Sequence, residues 1–260
     1  MTAESTAASR PLPRVIAEFD RNRHLAGFTL RGHLVKTVLV CGVLLAGSVY
    51  LSLQAALIDW LLLPVFVLFA NFVEWGFHRY PMHRPTNFPP GARLLYTNHT
   101  LIHHRAFLHN TMPISNSREF GLILMPWYTM LLVQALGLPV ALAGWAVRGV
   151  GIVGIFYIAG LLYYVTYEVM HALYHTSDAT QRKLGLKDSD LFQFLRAHHA
   201  HHHRLDRMSK VNYNVTFPLA DSIMGTYEEP DLQADAVTTA ELWDSSMGEK
   251  ERQAVDQTDK

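Results

Sequence analysis

The sequence holds a single cysteine, Cys41, in 260 residues. A disulfide framework needs pairs, and thiolate zinc sites or iron–sulfur clusters need several, so all of these are excluded. Cys41 lies inside an apolar run and reads as a small core or lipid-facing residue. Charge is scarce too: Asp, Glu, Lys and Arg make up 17%, against roughly 25% in soluble domains. The 22 bases match the 22 acids, so the basic excess of a nucleic-acid binder is missing. No G-x-x-x-x-G-K-[ST] phosphate loop is present, which leaves no motif for a nucleoside triphosphate, and the glycines Gly149, Gly151 and Gly154 lie in an apolar run. The first 33 residues also lack the short basic region and cleavage site of a secretory signal. Apolar residues and histidine are what the sequence has in excess. Apolar types make up 50%, and there are 15 histidines, 13 of them between His78 and His203. Histidine binds metals and titrates near neutrality, so such clustering needs a cause.

The apolar residues fall into paired runs. Thr37 to Leu53 is followed, after a short turn around Gln54 and Asp59, by Trp60 to Phe77. A second pair begins near Gly121, runs through Leu138, weakens over Pro139 to Val147 and resumes from Gly151 to Met170. Each main run approaches or reaches the ~20 residues that cross a hydrocarbon core. The expected fold class is therefore all-α: an integral, multi-pass membrane protein with four transmembrane helices in two hairpins, Pro139 marking a break. Basic residues set its orientation. Arg10, Arg14, Arg21, Arg23, Arg31 and Lys36 precede the first span, whereas the hairpin tips carry only Arg148. The N-terminus is expected in the cytoplasm, and with it segment 78–120 and everything after Met170. Three segments follow: an N-terminal cytoplasmic segment 1–33, a membrane domain 34–228, and an acidic tail 229–260 that reads as solvated and disordered.

All the clustered histidines lie in the stretches assigned to the cytoplasmic side. Four groups stand out: His78-Arg-Tyr-Pro-Met-His83, His99-Thr-Leu-Ile-His103-His104, His171-Ala-Leu-Tyr-His175, and the run from His198 to His203. Residues three or four apart share a helix face. His99 then projects with His103, and His171 with His175. In the last group His198 with His201 and His202, or His199 with His202 and His203, fit a helix equally well. His78 and His83 diverge by ~140° on a regular helix, so Pro81 is expected to end the helix and return His83 through a turn. Nine or ten histidines are too many for one ion and suit two. An imidazole shell favours Fe, Zn, Cu or Ni over Mg or Ca. Glu74 and Glu168, one turn or less before His78 and His171, are placed either to orient an imidazole from outside or to act as ordinary snorkelling or paired acids. His24, His33 and His109 stand alone and read as structural.

The boxes HX4H, HX3HH, HX3H and HX2HH, in this order on two membrane hairpins, resemble the fatty acid hydroxylase/sterol desaturase superfamily. The flanks agree: Glu74-Trp-Gly-Phe-His-Arg-Tyr80 at the first box, and Asn212-Tyr-Asn-Val-Thr-Phe-Pro-Leu-Ala-Asp-Ser-Ile-Met-Gly-Thr-Tyr227 after the last. The resemblance covers about residues 60–228. It implies a cytoplasmic helical cap with a dimetal site whose ligands are His78, His83, His99, His103, His104, His171, His175, His198, His201 and His202. The last-box register follows the family, with His203-Arg204 in the place of an aromatic and a basic residue. The resemblance further implies two iron ions (zinc in an isolated sample), O2 as co-substrate, and hydroxylation of an unactivated C–H bond of a membrane lipid: an acyl chain, sterol or related molecule. Desaturation at the same site is the near alternative. Electrons would come from an external ferredoxin- or cytochrome-type donor; Arg182, Lys183, Lys187, Arg196, Arg204, Arg207 and Lys210 read as its docking face, as holders of lipid phosphates, or simply as positive-inside charge near a membrane. Two other classes compete. A metal transporter would place ionisable ligands in mid-membrane, where these spans have almost none; a zinc hydrolase is not separated by histidines alone.

Overall fold

The computed structural model describes residues 25–88 and 91–230. His24 and the arginines at positions 10 to 23 lie outside the described residues, as does nearly all of the acidic tail. Every described element is helical. Helix α1 is Leu30–Ser52, α2 is Leu63–Phe77, and α3 is the short Ala92–Tyr96. Then come α4, Thr129–Leu136; α5, Leu138–Arg148; α6, Val150–Tyr174; α7, Asp178–Lys183; α8, Asp190–His202; and α9, Leu219–Ile223.

Three helical rods are long and apolar enough to cross a membrane: α1, the segment Leu57–Met82 that contains α2, and α6. The pair α4 and α5, bent by 46°, passes only when taken together, giving up to four spans. The expected third run therefore changes. The chain from Gly121 is not yet a helix of the bundle; it leaves a 3₁₀ turn at Leu122 and enters α4 only at Thr129. The break falls at Gly137, ahead of Pro139. Proline at the second position of α5 is tolerated, because the first amides of a helix have no internal partner.

Helix α6 is central. It packs most extensively on α1 and also on α2 and α5, whereas α1 makes no comparable contact with α2. The reason is local. Gly151 and Gly154 present bare backbone to the end of α1, and a Cβ on Gly154 would lie 2.3 Å from Ser52 N and 2.4 Å from Ser48 O. Small residues let helices approach closely where water supplies no hydrophobic drive. Gly154→Ala should thus force the helices apart and lower stability by ~1–3 kcal/mol. Gly42→Ala, whose Cβ would meet open space, should do no harm. Melting temperatures of the two variants in one detergent check this; equal values would remove the close approach as a determinant of the fold. At the other end of the bundle Arg148 Nε donates to Asp59 Oδ1 at 2.9 Å, tying the two tips together.

Candidate metal centre

The C-terminal end of α2 opens into a π-helical turn, His78–Met82, and α3 runs into a second, Thr97–His103. A π turn bonds i to i+5, so it aligns residues five apart. The backbone does not simply stop at Pro81: the wide turn stacks His83 on His78, ring centroids 5.0 Å apart. The second turn brings His104 Nε2 to within 3.0 Å of His99 Nε2. His103 still stacks on His99, ring centroids 5.3 Å apart, but it joins a different set of histidines.

The histidines gather into two groups of five. His78, His83, His99, His104 and His202 form the first; His103, His171, His175, His199 and His203 form the second. In each group the nitrogens lie within 4.8 Å of one another and every residue is buried. The groups share a wall, with His104 stacked on His203 at 4.2 Å. Both the second and the last histidine box are split: neighbours in sequence point into different groups.

The register in the last box differs from the expected one. His199 and His203 are in the second group, while His198 and His201 are in neither. Each residue turns a helix by ~100°, so a shift of one moves the whole set to another face. The face is decided by what α8 packs on. His198 Nε2 lies 3.4 Å from Asp221 Oδ2, and its ring stacks on Tyr227. His201 lies at the outer side, 3.4 Å from Glu228. The other eight expected ligands are all in the two groups.

Hydrogen bonds at the far nitrogens define what the groups offer. Nδ1 of His103, His175, His202 and His203 faces the carbonyls of Leu122, Met112, Val211 and Phe107 at 3.0, 2.8, 2.9 and 2.6 Å. Nδ1 of His78 faces the carbonyl of Tyr213. A carbonyl only accepts, so these Nδ1 atoms carry the hydrogen and a neutral ring keeps a bare lone pair on Nε2. The same follows for His83: Thr100 Oγ1 gives its hydrogen to Met82 O at 2.5 Å and so accepts from His83 Nδ1 at 3.0 Å. Yet His83 Nε2 and His202 Nε2 are only 3.0 Å apart. Two lone pairs at that distance repel unless a cation lies between them. His175 Nε2 is likewise buried with no hydrogen-bond partner among the described residues. The donor set is all imidazole, which fits a transition metal in each group.

Burial, and then repulsion among neighbouring imidazoles, holds His83, His99 and His104 well below the usual histidine range; His199 and His203 are shifted the same way for the same reasons. These rings are neutral at pH 7, as metal ligands must be. The unfolded chain takes up protons below about pH 6.5, where the native rings resist. The stability they contribute is whole above ~6.5 and is lost as pH falls toward the depressed native values. Metal content and helical signal should therefore fall together between about pH 6.5 and pH 5, and retention of both at pH 5 would contradict the assignment.

The segment after α8 is the frame for the first group. Asn212 takes a left-handed conformation, φ 57°, which asparagine tolerates better than most residues. Its side chain pairs with the backbone of Glu228 at 2.8 and 2.9 Å. Asp221 accepts from the amides of Tyr213 and Asn214 at 2.9 and 2.7 Å. Glu74 accepts from the Val215 amide at 2.5 Å, from Thr216 Oγ1 at 2.8 Å, and from Tyr163. Val211 and Tyr213, whose carbonyls orient His202 and His78, are held by this frame. Glu74 thus acts on the loop and not on an imidazole, which decides between the two readings its spacing leaves open. Glu168 also binds elsewhere, at the Met125 amide, 3.2 Å away.

A cavity of about 490 Å³ leads to the histidines. His78, His99 and His103 form its head, and Ala70, Leu136 and Gly160 line it deeper in the helices. His33, read as structural from the sequence, lines it too. No periodicity marks that role, because the loop 120–128 that completes the wall has none. The model of the family described as fatty acid hydroxylase matches residues 63–226, from the start of α2 through the frame. This chain belongs to the fatty acid hydroxylase family. No curated protein and no solved structure matches it. Family membership makes it an oxidoreductase, and its two histidine groups could bind metal ions at the inner end of an apolar cavity.

Proposed function

We propose that this fatty acid hydroxylase family member is an O2-dependent di-iron monooxygenase that hydroxylates an unactivated C–H bond of a membrane lipid. The observation that carries the reading is the meeting of two imidazole groups with the head of an apolar cavity. Two redox-active ions held there supply the activation of O2, which no side chain can perform. The ligands in this reading are the ten grouped histidines, including His199 and His203. Carbonyls behind His78, His103, His175, His202 and His203 fix those five rings and raise their basicity. The cavity wall holds an alkyl chain and keeps water away. In the same reading α4 and α5 form a fourth span. Arg31 and Lys36 at the start of α1, against Arg148 alone at the tips, then put the histidines on the cytoplasmic face. An external one-electron carrier protein supplies reducing power. Of the bases proposed to receive it, Lys187 is paired with Asp178 at 2.8 Å and Arg207 with Glu228 at 3.3 Å.

The test is a turnover experiment. Purified protein loaded with ferrous iron, given a chemical reductant and extracted membrane lipids, is exposed to 18O2. The expected product carries one labelled oxygen. Loss of two hydrogens without label would make the protein a desaturase. Lipid cleavage without O2 consumption, or no product with iron but hydrolysis with zinc, would overturn the oxidase reading.

A further inference from the structure

Several polar groups on the cavity wall are committed to partners within the protein. Glu74 is held by the frame, Tyr163 by Glu74, Asn71 and Thr216, and His33 by Thr37 at 3.3 Å. His78, His99 and His103 belong to the metal-binding groups. Tyr167 is different. It lines the cavity, is 7% exposed, and its hydroxyl is buried with no hydrogen-bond partner among the described residues. Its ring lies 5.6 Å from that of His171, one turn further along α6. A phenylalanine would fill the same space without stranding a donor, and a stranded buried donor is destabilising. The missing partner is therefore something that enters the cavity. Gly160, seven residues back along α6 and so ~10 Å deeper, still lines it. A lipid oxygen level with Tyr167 thus has apolar wall beyond it for an alkyl chain.

We propose that Tyr167 donates its hydroxyl hydrogen to an oxygen of the bound lipid, a hydroxyl or carbonyl close to the carbon presented to the histidine groups, and so determines which lipids bind and in what register. The identity of the subsequent chemistry rests on the oxidation proposed above; the contact itself does not. The experiment compares wild type with Tyr167→Phe, full length, iron-loaded, in lipid nanodiscs under argon, so that binding is read without turnover. The probes are 1-hexadecanol and hexadecane, each displacing a fluorescent polyene fatty acid. The wild type should prefer the alcohol about tenfold, the worth of one good hydrogen bond, after correction for partition into empty discs. The variant should lose that preference, and in lipid-free detergent it should melt no lower than wild type. An equal preference in both proteins overturns the proposal. So does a lower melting temperature of the variant in lipid-free detergent, because the hydroxyl would then have a partner inside the protein. If the preference is lost as expected but no lipid is oxidised when O2 is admitted, the oxidation reading falls and the contact stands.

Discussion

Alanine at His199 or at His203 is expected to remove about half of the bound metal and nearly all activity, whereas alanine at His201 should change neither. The reason is the rotation of α8. His199 and His203 are one turn apart, their Nε2 atoms 3.0 Å from each other, and both join His103, His171 and His175 in the second group. Removing one of five convergent imidazoles opens the shell and leaves a buried gap. His202 points into the first group, so its loss should empty the other half of the centre. His198 is a separate case. Its contact with Asp221 braces the frame that holds Tyr213 and Val211, so His198→Ala should weaken metal binding or activity by on the order of 10–100-fold without abolishing either, the usual effect of a partner one layer out. Metal per chain by elemental analysis, read beside turnover, separates the cases. Full metal in His199→Ala and His203→Ala with empty His198→Ala and His201→Ala would mean that the frame and α8 are rotated relative to each other in the loaded protein.

The sequence shows which residue types matter more readily than it shows where they point. The apolar runs, the four histidine boxes and the closing Asn-x-Asn-Val-Thr motif are all visible in one dimension, and they define the all-helical class and the family. What a linear reading misses depends on backbone that departs from 3.6 residues per turn. The i, i+4 rule pairs His99 with His103, but the π turn over Thr97–His103 pairs His99 with His104 and sends His103 across to His171. A π turn has no composition signature, and neither Pro81 nor the run Thr97–His103 announces one. In the last box two registers fit a helix, and spacing does not decide between them. The deciding contact, Asp221 on His198, spans 23 residues and forms only after the frame folds back. Glu74 shows the same limit: its position one turn before His78 suggested an imidazole partner, and its actual partners lie about 140 residues away.

That distance makes Glu74 the residue outside the histidines whose loss should cost most. It lies on the cavity side of α2, and its carboxylate gathers the Val215 and Thr216 amides, Thr216 Oγ1, Asn214 Nδ2 and the Tyr163 hydroxyl. Alanine there would leave several buried donors without an acceptor at once. Each such donor costs ~1–3 kcal/mol, so Glu74→Ala should lose well over ~3 kcal/mol, enough to threaten the fold of a marginally stable domain. Glutamine keeps the shape and one carbonyl oxygen but turns an NH2 toward groups that are themselves donors, so Glu74→Gln should fold with a lowered melting temperature. Its effect on metal should be selective. The frame segment supplies the carbonyls behind His78 and His202, both in the first group, whereas the carbonyls behind His103, His175 and His203 come from Leu122, Met112 and Phe107, outside that segment. Loosening the frame should release the first ion and spare the second. Metal titration of Glu74→Gln is expected to show one tight site and one weakened by about 10–100-fold. Two equally weakened sites would mean that the groups are not held independently, and two unchanged sites would show that Glu74 stabilises the fold without positioning the ligands.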